Sequence, residues 1–79
     1  MTTKFHTIVV GPFAVNCYLL WEESSSAGLI IDPGAEAETV TYWIDELGIK
    51  PEAILLTHGH GDHIAAVAEL KKQYDILYH

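Results

Sequence analysis

The chain has 79 residues, enough for one small domain or one piece of a larger one. At that size folding hides only about 60% of the surface the unfolded chain exposes, so the core is thin. Eleven Asp/Glu against four Lys/Arg give a net charge of −7, which argues against a nucleic-acid partner but not against a cation. The lone Cys17 cannot form an intramolecular disulfide and suits a reducing cytoplasm. No run is long and apolar enough to span a bilayer, and "MTTKFHTIVVGPF" lacks the apolar stretch of a signal peptide.

Periodicity then gives the elements in chain order. "KFHTIVV" (4–10) is β-branched and aromatic, and Gly11-Pro12 ends it. "FAVNCYLLWE" (13–22) reads as a second strand and "AGLIID" (27–32) as a third, with "EESSSAG" (22–28) as the hairpin loop between them. Ala37, Val40, Ile44 and Leu47 then fall at helical spacing, with Trp43 beside them. Gly48 stands where a helix C-terminal glycine belongs, and Pro51 prevents continuation. "AILLT" (53–57) is a short buried strand. A second helical stripe runs through Ile64, Val67, Ala68 and the stem of Lys71, with Lys71 and Lys72 favoured at its C-terminal end by the helix dipole. "DILYH" (75–79) closes a β-β-β-α-β-α-β order, an α/β pattern.

The second strand is apolar on both faces: Phe13, Val15, Cys17, Leu19 and Trp21 on one, Ala14, Tyr18 and Leu20 on the other. "GLII" is likewise apolar in both directions. Such strands are covered on both sides, yet two helices cover only one face of a small sheet. The expectation is therefore a missing second layer, supplied by more chain or by a second copy of this one.

"THGHGDH" (57–63) carries three of the five histidines, at a strand-to-helix junction. His58 and His60 are two apart, so in extended backbone they point the same way. Asp62 and His63 follow as the chain turns, and aim elsewhere. Gly59 and Gly61 permit a tight turn. Taken singly, each residue has an ordinary reading: polar loop histidines, an N-cap aspartate, turn glycines. Together they read as metal ligands, in two adjacent half-sites, of a kind that suits Zn²⁺ and also Fe or Mn. His6 is read as structural or solvent-facing, His79 as an ordinary terminal residue, and Cys17 as a small core residue without the electropositive setting of a nucleophile. Ser24 to Ser26 have no histidine partner in the pattern.

The stretch "THGHGDH" resembles the T-H-x-H-x-D-H signature of the metallo-β-lactamase superfamily, and "GPFAVNCYLL" (11–20) followed by "LIIDPG" (29–34) is most similar to its glyoxalase II-type hydrolases. The resemblance covers nearly all of residues 1–79 but only the N-terminal part of the family's domain. It implies one half of a four-layer αββα sandwich built of two similar halves. It also implies that His58 and His60 bind a first metal ion and Asp62 and His63 a second. Asp62 would in addition help orient the nucleophile. The remaining ligands, two histidines and a bridging aspartate, would come from the later half, to which no residue here corresponds. Asp32 would orient a histidine ligand from behind. Asn16 matches a recurring family residue without a catalytic role.

The implied chemistry is attack of metal-activated water on a thioester such as a glutathione thioester, in the cytoplasm, with no membrane partner. The alternatives are a half-domain that binds metal and forms a homodimer without efficient catalysis, and a metal-free structural or interaction module.

Overall fold

A computed structural model describes residues 2–11, 15–57 and 64–78 of the chain. The elements follow the expected order: strands β1 (Thr3–Val10), β2 (Val15–Glu22) and β3 (Ala27–Ile31), helix α1 (Ala37–Leu47), strand β4 (Lys50–Leu55), helix α2 (Ile64–Tyr74) and strand β5 (Leu77–Tyr78). The five strands form one sheet in sequence order. β1, β2 and β3 pair antiparallel, whereas β3–β4 and β4–β5 are parallel. Parallel neighbours need a crossover, and α1 and α2 supply the two crossovers.

The β1–β2 register, from Thr3 opposite Glu22 to Val10 opposite Val15, decides which side chains share a face. Ile8 and Val10 fall beside Cys17 and Leu19, and both pairs are buried under the helices together with Ile30 and Ile54. Val40 and Ile44 of α1 and Val67 and Leu70 of α2 close this core from above. His6, on the same face, stacks on Trp43 with ring centroids 4.4 Å apart, so it is a packing residue. Among the described residues, the other face carries no helix. The pairings align Phe5, Leu20, Leu29 and Ala53 in one row and Thr7, Tyr18, Ile31 and Leu55 in the next. These side chains are half-buried or exposed. Phe13 and Ala14, expected to extend the two faces, lie outside the described residues.

β4 starts at Lys50, three residues before the expected "AILLT". Two observations explain this. The Lys50 N–H donates to the Ser26 carbonyl at 2.8 Å, tying the strand start to the hairpin. The register shift that sets Pro51 opposite Gly28 and Ala53 opposite Leu29 leaves Glu52 as an extra residue, so the proline sits where the ladder is already broken. Gly28 is needed there, because a Cβ would lie 2.7 Å from the Leu20 carbonyl oxygen.

α1 ends as its sequence suggests. Gly48 takes φ 68°, its N–H donates to Asp45 O at 3.2 Å, and the Ile49 N–H donates to Ile44 O at 3.0 Å, a Schellman motif. α2 departs from expectation. Its buried side chains are Ala66, Val67 and Leu70, with Tyr74 half-buried, while Ala68 and Lys71 are exposed. The alanine-rich first turns give little contrast between faces, so the stripe lies about one residue step, ~100°, from the expected one. The Ile64 side chain lies outside the described residues. Among the described residues no helix is long and apolar enough to cross a membrane.

Candidate metal centre

Parallel pairing sets the C-terminal ends of β3 and β4 side by side, with Ile31 opposite Leu55. One more bond continues the ladder, from Asp32 N–H to the Leu55 carbonyl at 2.9 Å. Asp32 then adopts φ 53°, a left-handed conformation that aspartate tolerates better than most residues, and the chain leaves the sheet through Pro33-Gly34. Its carboxylate turns towards the end of β4. Oδ1 accepts the Thr57 N–H at 2.7 Å, and Oδ2 accepts the Thr57 hydroxyl.

Asp32 thus grips the residue immediately before His58, using both carboxylate oxygens and both Thr57 donors. The expected ligands His58, His60, Asp62 and His63 lie outside the described residues, so their arrangement and any contact of Asp32 with a histidine lie outside them too. Within the described residues, Asp32 holds Thr57 at the end of β4. Bonds to an ionised carboxylate are the stronger kind, and two on one residue fix direction as well as position. Sequence patterning assigns Thr57 no role. The available signal is a two-donor residue at the mouth of the turn, but nothing local reveals its partner.

A second carboxylate organises the same end of the sheet. Glu36 precedes α1 in a left-handed conformation, φ 54°, and accepts the Gly11 N–H at 2.5 Å and the Thr39 hydroxyl at 3.4 Å. It ties the exit of β1 to the start of α1. The exit of β1 is therefore tied to α1, and the end of β3 to the end of β4.

The other candidates fall away from chemistry. Cys17 is fully buried, and burial first, then the negative Asp32 nearby, push its thiol up to about 12. It is protonated at neutral pH and is neither nucleophile nor thiolate ligand there. Ser24 bonds Glu22 Oε1 at 3.2 Å in the hairpin, at the opposite end of β3 from Asp32. Asn16 is exposed and its amide donates to Tyr18 Oη at 3.3 Å. His79 lies outside the described residues. Among the described residues, no three His, Cys, Asp or Glu side chains form an alternative metal-holding group.

Comparison with known proteins fits this arrangement. The family model of the metallo-beta-lactamase superfamily matches residues 10–79. The chain is 44% identical over 69 residues to hydroxyacylglutathione hydrolase GloC of Haemophilus influenzae, covering 87% of this chain and 32% of that one. It is 42% identical over 73 residues to the probable metallo-hydrolase YqgX of Bacillus subtilis, covering 92% and 34%. Among solved structures it is similar to the BLEG-1 B3 metallo-beta-lactamase, with TM-score 0.85, 37% identity, and coverage of 95% of this chain and 35% of that one. It is also similar to TTHA1623 in a di-iron-bound form, with TM-score 0.77, 38% identity, and coverage of 92% and 36%. The chain spans about a third of the length of these relatives. With the family model matched over residues 10–79 and the fold shared, this chain belongs to the metallo-β-lactamase superfamily.

Proposed function

We propose that the chain is the metal-binding N-terminal portion of a thioester hydrolase of the hydroxyacylglutathione hydrolase type. The observation that supports this reading is the Asp32–Thr57 grip, which fixes the residue immediately before the segment that contains every proposed ligand. Three imidazoles and a carboxylate form a donor set suited to a divalent ion. His58 and His60 would hold one ion and Asp62 and His63 a second, with Zn²⁺ the proposed occupant and Fe or Mn also served by these donors. The di-iron form of TTHA1623 supports keeping iron in view. When bound, such ions make hydroxide available near neutral pH and polarise a carbonyl.

The chain's own residues have separable tasks. Asp32 holds Thr57, the residue immediately before His58 in the sequence. Asp62 would supply a ligand and a carboxylate to help orient the nucleophile. Each half-site has two ligands from this chain, whereas a catalytic zinc takes three protein ligands and keeps one open position. The rest must come from outside residues 1–79, either a C-terminal portion like that of the longer relatives or a second copy. The proposed setting is the cytoplasm, in keeping with the single buried thiol.

The test is hydrolysis of a glutathione thioester by zinc-loaded chain, alone and mixed with the C-terminal remainder of a relative. Activity is expected from the mixture and very little from the chain alone. Turnover of roughly 1 per second or more from the chain alone would show that the ligand count is wrong. Metal-loaded mixtures that leave the thioester intact would remove the substrate assignment.

A further inference from the structure

We infer that Glu36 is a positioning residue: with Asp32 it pins the connector between β3 and α1 at both ends, and so governs the hold on Thr57 and, through Thr57, the affinity of the proposed metal centre. The last step rests on the function proposed above; the hold on Thr57 does not. Strand pairing brings the parts to one end of the sheet. Val10 lies opposite Val15 where β1 exits, Tyr18 opposite Ile31 where β3 exits, and Ile31 opposite Leu55 where β4 exits. Both end residues of the connector are left-handed carboxylates, Asp32 at φ 53° and Glu36 at φ 54°. Glutamate is uncommon in that region, where glycine and asparagine meet less resistance. At Glu36 the side chain is bonded through both oxygens: Oε2 accepts the Gly11 N–H at 2.5 Å, and Oε1 accepts the Thr39 hydroxyl at 3.4 Å.

Between these ends the connector has little slack. Pro33 is fully buried, and its ring fixes φ. Ala35 packs against the core, and a Cβ on Gly11 would lie 3.3 Å from the Ala35 Cβ, so the exit of β1 rests on it. The Glu36 carbonyl accepts the Thr39 and Val40 N–H groups at 2.9 and 3.2 Å, which joins that end to the first turn of α1. At the other end the Asp32 N–H donates to the Leu55 carbonyl, and its carboxylate holds Thr57. Losing the Gly11–Glu36 bond therefore frees one end of a short, stiff segment whose other end holds Thr57. A glutamate that merely started α1 would act on the helix and leave Thr57 alone.

The experiment is amide hydrogen exchange, read by NMR on the metal-free 79-residue protein, with Zn²⁺ affinity by chelator competition as a second readout. Glu36→Gly removes the carboxylate and suits left-handed backbone, so it should keep its far-UV circular dichroism. If it does not, Glu36→Asn is read instead, since asparagine also tolerates this conformation and its side chain is shorter. Exchange at the Gly11 and Thr57 N–H groups should speed up roughly 3- to 30-fold relative to Leu19 and Ile30 in the core strands. Zn²⁺ should bind about 3- to 10-fold more weakly, a smaller loss than that expected from Asp32 itself. Glu36→Gln keeps an oxygen for the Gly11 N–H and should restore both. In an Asp32→Ala background Glu36→Gly should cost no further Zn²⁺ affinity, because both residues act through Thr57. Thr57 exchange that follows the core amides, no recovery in Glu36→Gln, or affinity losses that simply add would each overturn the inference. A parent that binds no Zn²⁺ fails the proposed function and the metal step with it, and the exchange rates then decide the hold on Thr57 by themselves.

Discussion

Asp32 ties the end of β3 to Thr57, one position before the first proposed ligand. Its two oxygens satisfy a backbone and a side-chain donor of Thr57, twenty-five positions further on. Replacing it with alanine should cost about 1–2 kcal/mol of stability, the usual scale for losing charge-assisted bonds near the surface. The larger expected effect is on metal. Supporting residues behind ligands typically carry 10- to 100-fold in affinity, so Asp32→Ala should loosen metal by about that factor in a chelator competition. Thr57→Ser keeps both donors and should bind like the parent. Unchanged metal affinity in Asp32→Ala would reduce Asp32 to a turn residue. In the sequence, only a family resemblance puts Asp32 near the metal centre, and it pairs the carboxylate with a histidine. Spacing cannot show that the carboxylate reaches Thr57, because that contact exists only once β3 and β4 pair in parallel. Cys17 and His6 are legible for simpler reasons: a thiol in an apolar strand is buried, and a histidine in register with core residues packs.

At the scale of elements, the two helices end in the same way with different residues. Gly48 closes α1 at φ 68°, where a residue without Cβ meets no steric cost. After α2, Asp75 stands at φ 54°, and the Ile76 N–H donates back to Lys71 O at 3.2 Å. Aspartate is strained in that conformation, and its negative charge opposes the helix dipole. Asp75→Gly should therefore stabilise the fold by about 0.5–1 kcal/mol, and Gly48→Asp should destabilise it by a similar or larger amount. Urea unfolding followed by tryptophan fluorescence would measure both, and shifts of the same sign would contradict the shared-cap account. These elements are readable where local chemistry dominates: alternation in β1 and β2, and the Gly48-x-x-Pro51 punctuation after α1. Sequence patterning fails where tertiary context decides. β4 begins at Lys50 because the Ser26 carbonyl captures its N–H and a bulge accommodates Pro51. The buried stripe of α2 is set by its contact with β4 and α1, and its alanines do not announce it.

For the whole molecule, one sheet with helices on one side is half of a layered arrangement. The two-sided apolar pattern of β2 and β3 marks, from the residues alone, the sheet face that α1 and α2 leave uncovered. What covers the second face is not legible there, since composition describes a surface and not its partner. The central claim concerns the turn between β4 and α2, and metal content tests it most directly. Protein loaded with Zn²⁺, dialysed, and analysed for metal should retain it at neutral pH through His58, His60, Asp62 and His63. Retention should fall as pH drops below about 6.5, where protons compete for imidazole nitrogens. The His58→Ala/His60→Ala/His63→Ala variant should retain essentially none, and equal metal in the parent and the variant would contradict the account.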